Sequence, residues 1–177
     1  MEFFAATGTK RTEENKNKPN IADYNNNYMK GLTGLQADKL GVAAEAGVVK
    51  MLGYDPLTVS KDIWPSFYTN EEAAQYKNSP DVMHDNKVFE VRRVNKKTSP
   101  LCIRTKDVEN KAVVIKVYIP YKHNEDGTIK VKPEAHIEVW ADAENDWYEA
   151  VRPGWAKTNN SRVTAGRPIE ELLGGEL

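Results

Sequence analysis

The run from Ser79 to Arg93, Ser-Pro-Asp-Val-Met-His-Asp-Asn-Lys-Val-Phe-Glu-Val-Arg-Arg, constrains the chain more than any other stretch. It reads as two short strands joined by a polar turn over His84 to Lys87. In the second strand Phe89 and Val91 alternate with Val88, Glu90 and Arg92, and a side-chain period of two sends Glu90 and Arg92 out of the same face of a sheet. Pro80 has no N–H to give to a ladder, which suits the start of a strand, so Asp81 enters where a side chain can lean over a cleft. Two acids and one base therefore converge across a single hairpin.

The clearest helix spans Gln36 to Leu52, with apolar positions from Ala37 to Met51, Gly53 as its C-terminal stop and Pro56 beyond. Glu45 is its informative residue. The positions three and four away are Gly41, Val42, Val48 and Val49, so its carboxylate lies within the buried arc and not on the strip marked by Lys39 and Lys50. An ionised glutamate there needs a partner, because burying it alone costs several kcal/mol or raises its pKa; Arg92 or Arg93 could serve in a purely structural pair.

Further along, Leu101 to Arg104 reads as a strand with Asp107 in the turn after it, Ala112 to Ile119 as a central strand, and Ala135 to Ala141 as another. Asn124-Glu125-Asp126-Gly127 is a hairpin turn leading to Thr128 to Val131, an extension of the sheet. A short helix begins near Asn70 behind an aromatic cluster, Trp147 to Trp155 is aromatic, residues 156 to 168 read as loop, and Pro168 to Leu173 as a short helix. Together these predict an α/β fold: a mixed central sheet of about four or five strands flanked by helices, with an added β-hairpin. Residues 1–30, rich in Lys, Glu and Asn, read as a flexible N-terminal arm whose Phe3, Phe4, Tyr24 and Tyr28 suit docking in a homo-oligomer; 31–177 form a single domain.

Pro80-Asp81 followed by Glu90-Val91-Arg92 on the next strand resembles the PD-(D/E)XK nuclease superfamily, over roughly residues 34 to 140. The resemblance implies that core, with Asp81 and Glu90 as ligands of Mg²⁺ or Mn²⁺, the main-chain carbonyl of Val91 nearby, and Glu45 on the preceding helix completing the metal site. Arg92 stands where the family usually has lysine. Arginine cannot shed a proton to activate water, but it can hold a phosphate or a developing negative charge. Asp81, Glu90 and Arg92 are thus the implied catalytic set. Two function classes follow: a metal-dependent endonuclease hydrolysing phosphodiester bonds in DNA, or an inactive protein of the same fold that binds nucleic acid or a protein partner. A looser likeness to short phage-encoded members implies a small stand-alone protein and an infected host cell as its setting.

The net charge of −1 means that nucleic-acid binding must come from a local patch and not from the molecule as a whole. Arg93, Lys96, Lys97 and Arg104 supply one, joined by Lys87, Arg92 and Lys106, while Asp85 and Glu90 are the sole acids from 85 to 106. A basic stripe beside an acidic site is what phosphodiester chemistry needs. The lone cysteine, Cys102, excludes an intramolecular disulfide and a multi-cysteine zinc site, and its apolar neighbours predict a buried side chain. His84, His123 and His136 lack zinc-ligand spacing. The sequence has no apolar run near the ~18 residues a membrane helix requires and no signal-peptide pattern, so the expectation is a soluble, cytoplasmic protein with no membrane partner.

Overall fold

Two residues in the left-handed backbone region set the first hairpin. Asp85 and Asn86 have φ of 46° and 60°, the paired positive values that let a two-residue turn match the twist of its strands, and Asp and Asn tolerate them better than most residues. In the computed structural model, which describes residues 32, 34–67, 79–132, 134–146 and 162–174, this turn follows helix α1 (Gly34–Met51) and joins β1 (Val82–His84) to β2 (Lys87–Val94). Val82 lies opposite Phe89 and His84 opposite Lys87.

After β2 come a short strand β3 (Leu101–Ile103), the one-turn helix α2 (Thr105–Glu109) and strand β4 (Val113–Tyr118). β4 runs parallel to β2, with Glu90 beside Val114 and Arg92 beside Lys116, and a parallel neighbour requires a crossover. β3 and α2 supply it. A projecting hairpin of β5 (Tyr121–His123) and β6 (Ile129–Val131) precedes β7 (His136–Asp142), which pairs antiparallel with β4 through a register shift between Lys116 and Val117. The described chain ends with β8 (Arg162–Thr164), β9 (Arg167–Pro168) and helix α3 (Ile169–Gly174). The central sheet is mixed, in the order β1-β2-β4-β7-β9.

Alternation along the strands divides the apolar residues between two layers. Phe89, Ile115 and Val117 pack with Leu40, Val42, Val48, Val49 and Trp64 beneath α1, while Val88 and Val114 pack with Leu101, Ile103, Ala112 and Ala141 on the side of α2. Each Val, Leu, Ile or Phe among them contributes about 1.5–3 kcal/mol when fully buried, far more than an exposed ion pair at about 0–1 kcal/mol. These two layers therefore hold the sheet, and the ionic groups discussed below act within a frame already fixed.

The mixed α/β architecture and the added hairpin agree with the sequence reading; three details do not. Leu101 to Ile103 form a strand, but it pairs with β8 in a separate two-stranded sheet and not with the central one. Residues read as loop contain β8 and β9, too short to show an alternating pattern. Cys102 is half-buried, because the period of β3 buries Leu101 and Ile103 instead. The N-terminal arm, the helix near Asn70 and the segment Trp147 to Trp155 lie outside the described residues. Among the described residues, no helix is long and apolar enough to cross a membrane.

The turn between β8 and β9 depends on Gly166, whose φ is 77° and whose missing Cβ would clash with Val139 and lie 2.8 Å from the Trp140 carbonyl oxygen. Gly166→Ala should destabilise the protein by about 2 kcal/mol or more in chemical denaturation. Gly41→Ala should do the reverse by about 0.5–1 kcal/mol, since a Cβ there meets nothing within 4 Å and the position is helical.

Candidate functional site

Asp107 is the deepest charged group in the molecule's second layer. It sits in the first turn of α2, is fully buried, and accepts the backbone N–H of Arg104 at 2.7 Å. Both of its oxygens also accept from Nη2 of Arg92 at 2.5 Å. Arg92 reaches it because β2 turns Val88, Glu90 and Arg92 toward α2. Its other terminal nitrogen, Nη1, lies 3.2 Å from Glu90 Oε2 and 3.9 Å from Asp81 Oδ2. Burial opposes the Arg92 charge, yet Asp107, Asp81 and Glu90 outweigh it and hold its pKa above the ordinary arginine value.

Glu90 is 1% exposed. Its Oε2 takes Arg92 and, at 3.0 Å, the ammonium of Lys106, whose side chain is 43% exposed. Its Oε1 is buried with no hydrogen-bond partner among the described residues. Such an orphan oxygen is costly unless something outside the protein completes it.

Asp81 stands one step beyond Val82 on the ladder, and its Oδ2 accepts the Val91 N–H at 2.8 Å. Glu45, buried on α1, accepts at Oε2 from Trp64 Nε1 (2.8 Å) and Ser66 Oγ (2.7 Å), and the same hydroxyl lies 3.0 Å from the Asp81 carbonyl oxygen. Ser66 thus ties the helix glutamate to the strand aspartate. Burial first, then the charges of Glu45 and Glu90, raise the Asp81 pKa from 3.8 to about 7 against the opposing pull of Arg92 and the Val91 N–H. Glu45, Asp81, Glu90 and Arg92, predicted together from the sequence, do meet around this point.

The basic stripe does not form as one surface. Arg93 faces the opposite side of β2 from Arg92, is half-buried, donates from Nη1 to Asn95 Oδ1 at 2.7 Å, and has its pKa lowered by burial. Lys97 pairs with Glu138 at 2.6 Å. Lys96 and Arg104 are exposed. His84 is engaged elsewhere, its Nδ1 2.8 Å from the Tyr54 hydroxyl and its Nε2 3.3 Å from the Asp85 carboxylate.

No protein-family model, characterised protein or solved structure matches the chain. The chemistry must be read from the geometry. Among the described residues no three His, Cys, Asp or Glu side chains form a group able to hold a metal ion by themselves. Sequence reasoning missed Asp107, Trp64 and Ser66 as members of the site, and treated Lys106 only as part of the stripe. A signal existed for Asp107, an acid between Ile103 and Val108 early in a short polar segment, where first-turn acids belong.

Two outcomes follow. Because the folded state binds the Asp81 proton up to about pH 7 and the unfolded chain releases it near 3.8, this group makes stability fall as pH rises between those values and leaves it flat above them. Denaturation of Asp81→Asn should lack that component, worth on the order of 4 kcal/mol, so the variant should gain on wild type steadily from pH 4 to pH 7. Asp107→Ala should cost about 3–5 kcal/mol, because it leaves the Arg92 guanidinium buried without its main partner.

Proposed function

We propose that the protein is a metal-dependent endonuclease that hydrolyses phosphodiester bonds in DNA within the cell. The observation that carries this reading is Glu90 Oε1, buried with no hydrogen-bond partner among the described residues, beside an Asp81 whose pKa is raised to about 7 by burial first and then by the charges of Glu45 and Glu90. Repulsion of this kind is what a divalent cation relieves, and the donor set suits one. Mg²⁺ is generally held by one or two carboxylates, with water and phosphate completing its octahedron, so a cage of three acidic side chains is not required. Asp81 and Glu90 would hold the ion, Glu90 through the orphan Oε1, with Glu45 adding negative charge from the helix side. DNA as substrate rests on the resemblance of Pro80-Asp81 and Glu90-Val91-Arg92 to the nuclease superfamily.

In the hydrolysis, one water adds to phosphorus and one P–O ester bond breaks, leaving a phosphate monoester on one end and a hydroxyl, which has taken a proton, on the other. A divalent ion bound there would draw charge from the phosphate and ease the loss of a proton from water. The residues of the chain do the positioning. Arg92, fixed by Asp107, holds Glu90 Oε2 so that Oε1 faces away from the pair. Trp64 and Ser66 fix Glu45, and the Val91 N–H fixes Asp81. The sequence expectation that Arg92 itself meets the phosphate is revised: both its terminal nitrogens are committed, and it is 8% exposed.

The same arginine supports a second reading. A cation lying between Glu90 and Asp81 partly neutralises the pair, as in an inactive relative that only binds nucleic acid or a protein. Incubation of supercoiled plasmid with the purified protein separates the two. The enzyme reading predicts cleavage with Mg²⁺ or Mn²⁺, abolished by chelation and reduced at least about 100-fold in Asp81→Asn and Glu90→Gln. Absence of cleavage with either metal would favour the binder.

A further inference from the structure

We propose that Lys106 is the cation that meets the scissile phosphate, in the place that the strand arginine cannot fill. The inference rests on the nuclease reading above and assigns a role within that site. The terminal nitrogens of Arg92 are used up: Nη2 lies on both oxygens of Asp107 and Nη1 on Glu90, and Nε is buried without a partner among the described residues. Turning the guanidinium toward a substrate would strip a fully buried aspartate of its partner, a cost of several kcal/mol.

Lys106 is built the other way. It precedes Asp107 on α2, so the turn that drives the Asp107 carboxylate inward sends the Lys106 side chain toward water, where it is 43% exposed. Its ammonium nevertheless lies 3.0 Å from Glu90 Oε2, on the carboxylate whose other oxygen has no partner among the described residues. An ammonium has three donors. One serves Glu90, and the remainder point a positive charge into the solvent side of the site, within reach of a phosphate oxygen held beside Glu90. Of the two cations on Glu90 among the described residues, Lys106 is the one that can turn toward solvent while Arg92 stays on the carboxylate. An exposed lysine on a buried glutamate also has a plain structural explanation, as a pair that merely screens Glu90, and the two differ in what DNA would feel.

The test compares wild type, Lys106→Met and Lys106→Arg by two measurements. In Ca²⁺, with a short DNA duplex as probe, Lys106→Met should weaken binding and reduce the slope of log Kd against log salt by about 0.9, the loss of one phosphate contact. Lys106→Arg should restore the slope. In Mg²⁺, Lys106→Met should cut plasmid cleavage by about 100-fold, while Mn²⁺ still raises its melting temperature as it does that of the wild type, which shows the ion site intact. An unchanged salt slope, or full cleavage by Lys106→Met, would overturn the role of Lys106 and leave the nuclease reading standing. A wild type that cleaves nothing would overturn both.

Discussion

The buried pair of Arg92 and Asp107 is the interaction on which the arrangement of the site depends. Each charge alone would cost several kcal/mol to bury, and the attraction repays that only where geometry is near ideal and the remaining hydrogen-bonding groups are satisfied. Here one guanidinium nitrogen, Nη2, lies 2.5 Å from both Asp107 oxygens and the Arg104 N–H fills a further lone pair of Asp107, while Arg92 Nε is buried without a hydrogen-bond partner among the described residues. The pair also joins β2 to α2, the crossover that allows β4 to lie parallel to β2. Within the frame that the apolar layers set, one contact therefore ties the crossover to β2 and fixes the position of Glu90, which Arg92 holds through its second nitrogen.

Held in this way, the acids cannot move apart. Glu45 comes from a helix packed on one face of the sheet and Glu90 from the other face, and Asp81 stands at the strand edge between them. Apolar layers lie on both sides, and burial first, then the charges of Glu45 and Glu90, displace the protonation of Asp81. Stability is lost there as pH rises from about 4 to about 7. A protein under selection for stability alone would be better served by a neutral residue at this position.

How much of this could be read beforehand follows from the range of each interaction. The alternation of Val88 to Arg93 and the apolar neighbours of Glu45 are local patterns, and they located Glu45, Asp81, Glu90 and Arg92 in one region. β8 and β9 are set by pairing with distant strands, and runs so short carry no period of their own. Asp107 escaped because its partner is fifteen residues away across a crossover, and no local pattern reports a contact of that kind. The basic stripe was read from charge content, which ignores that successive residues of a strand face opposite ways; Arg92 and Arg93 are neighbours in sequence and lie on different faces.

The central claim is that Asp81 and Glu90 form a site for a divalent ion with Glu90 Oε1 as a ligand. Crystals soaked in Mn²⁺ test it most directly, through an anomalous difference map calculated at the manganese edge. The account predicts a peak within ligand distance, about 2.0–2.3 Å, of one Asp81 oxygen and of Glu90 Oε1, with the Arg92–Asp107 pair unbroken. A map with no peak between these two carboxylates, in crystals where Asp81 is ionised at alkaline pH, would contradict it.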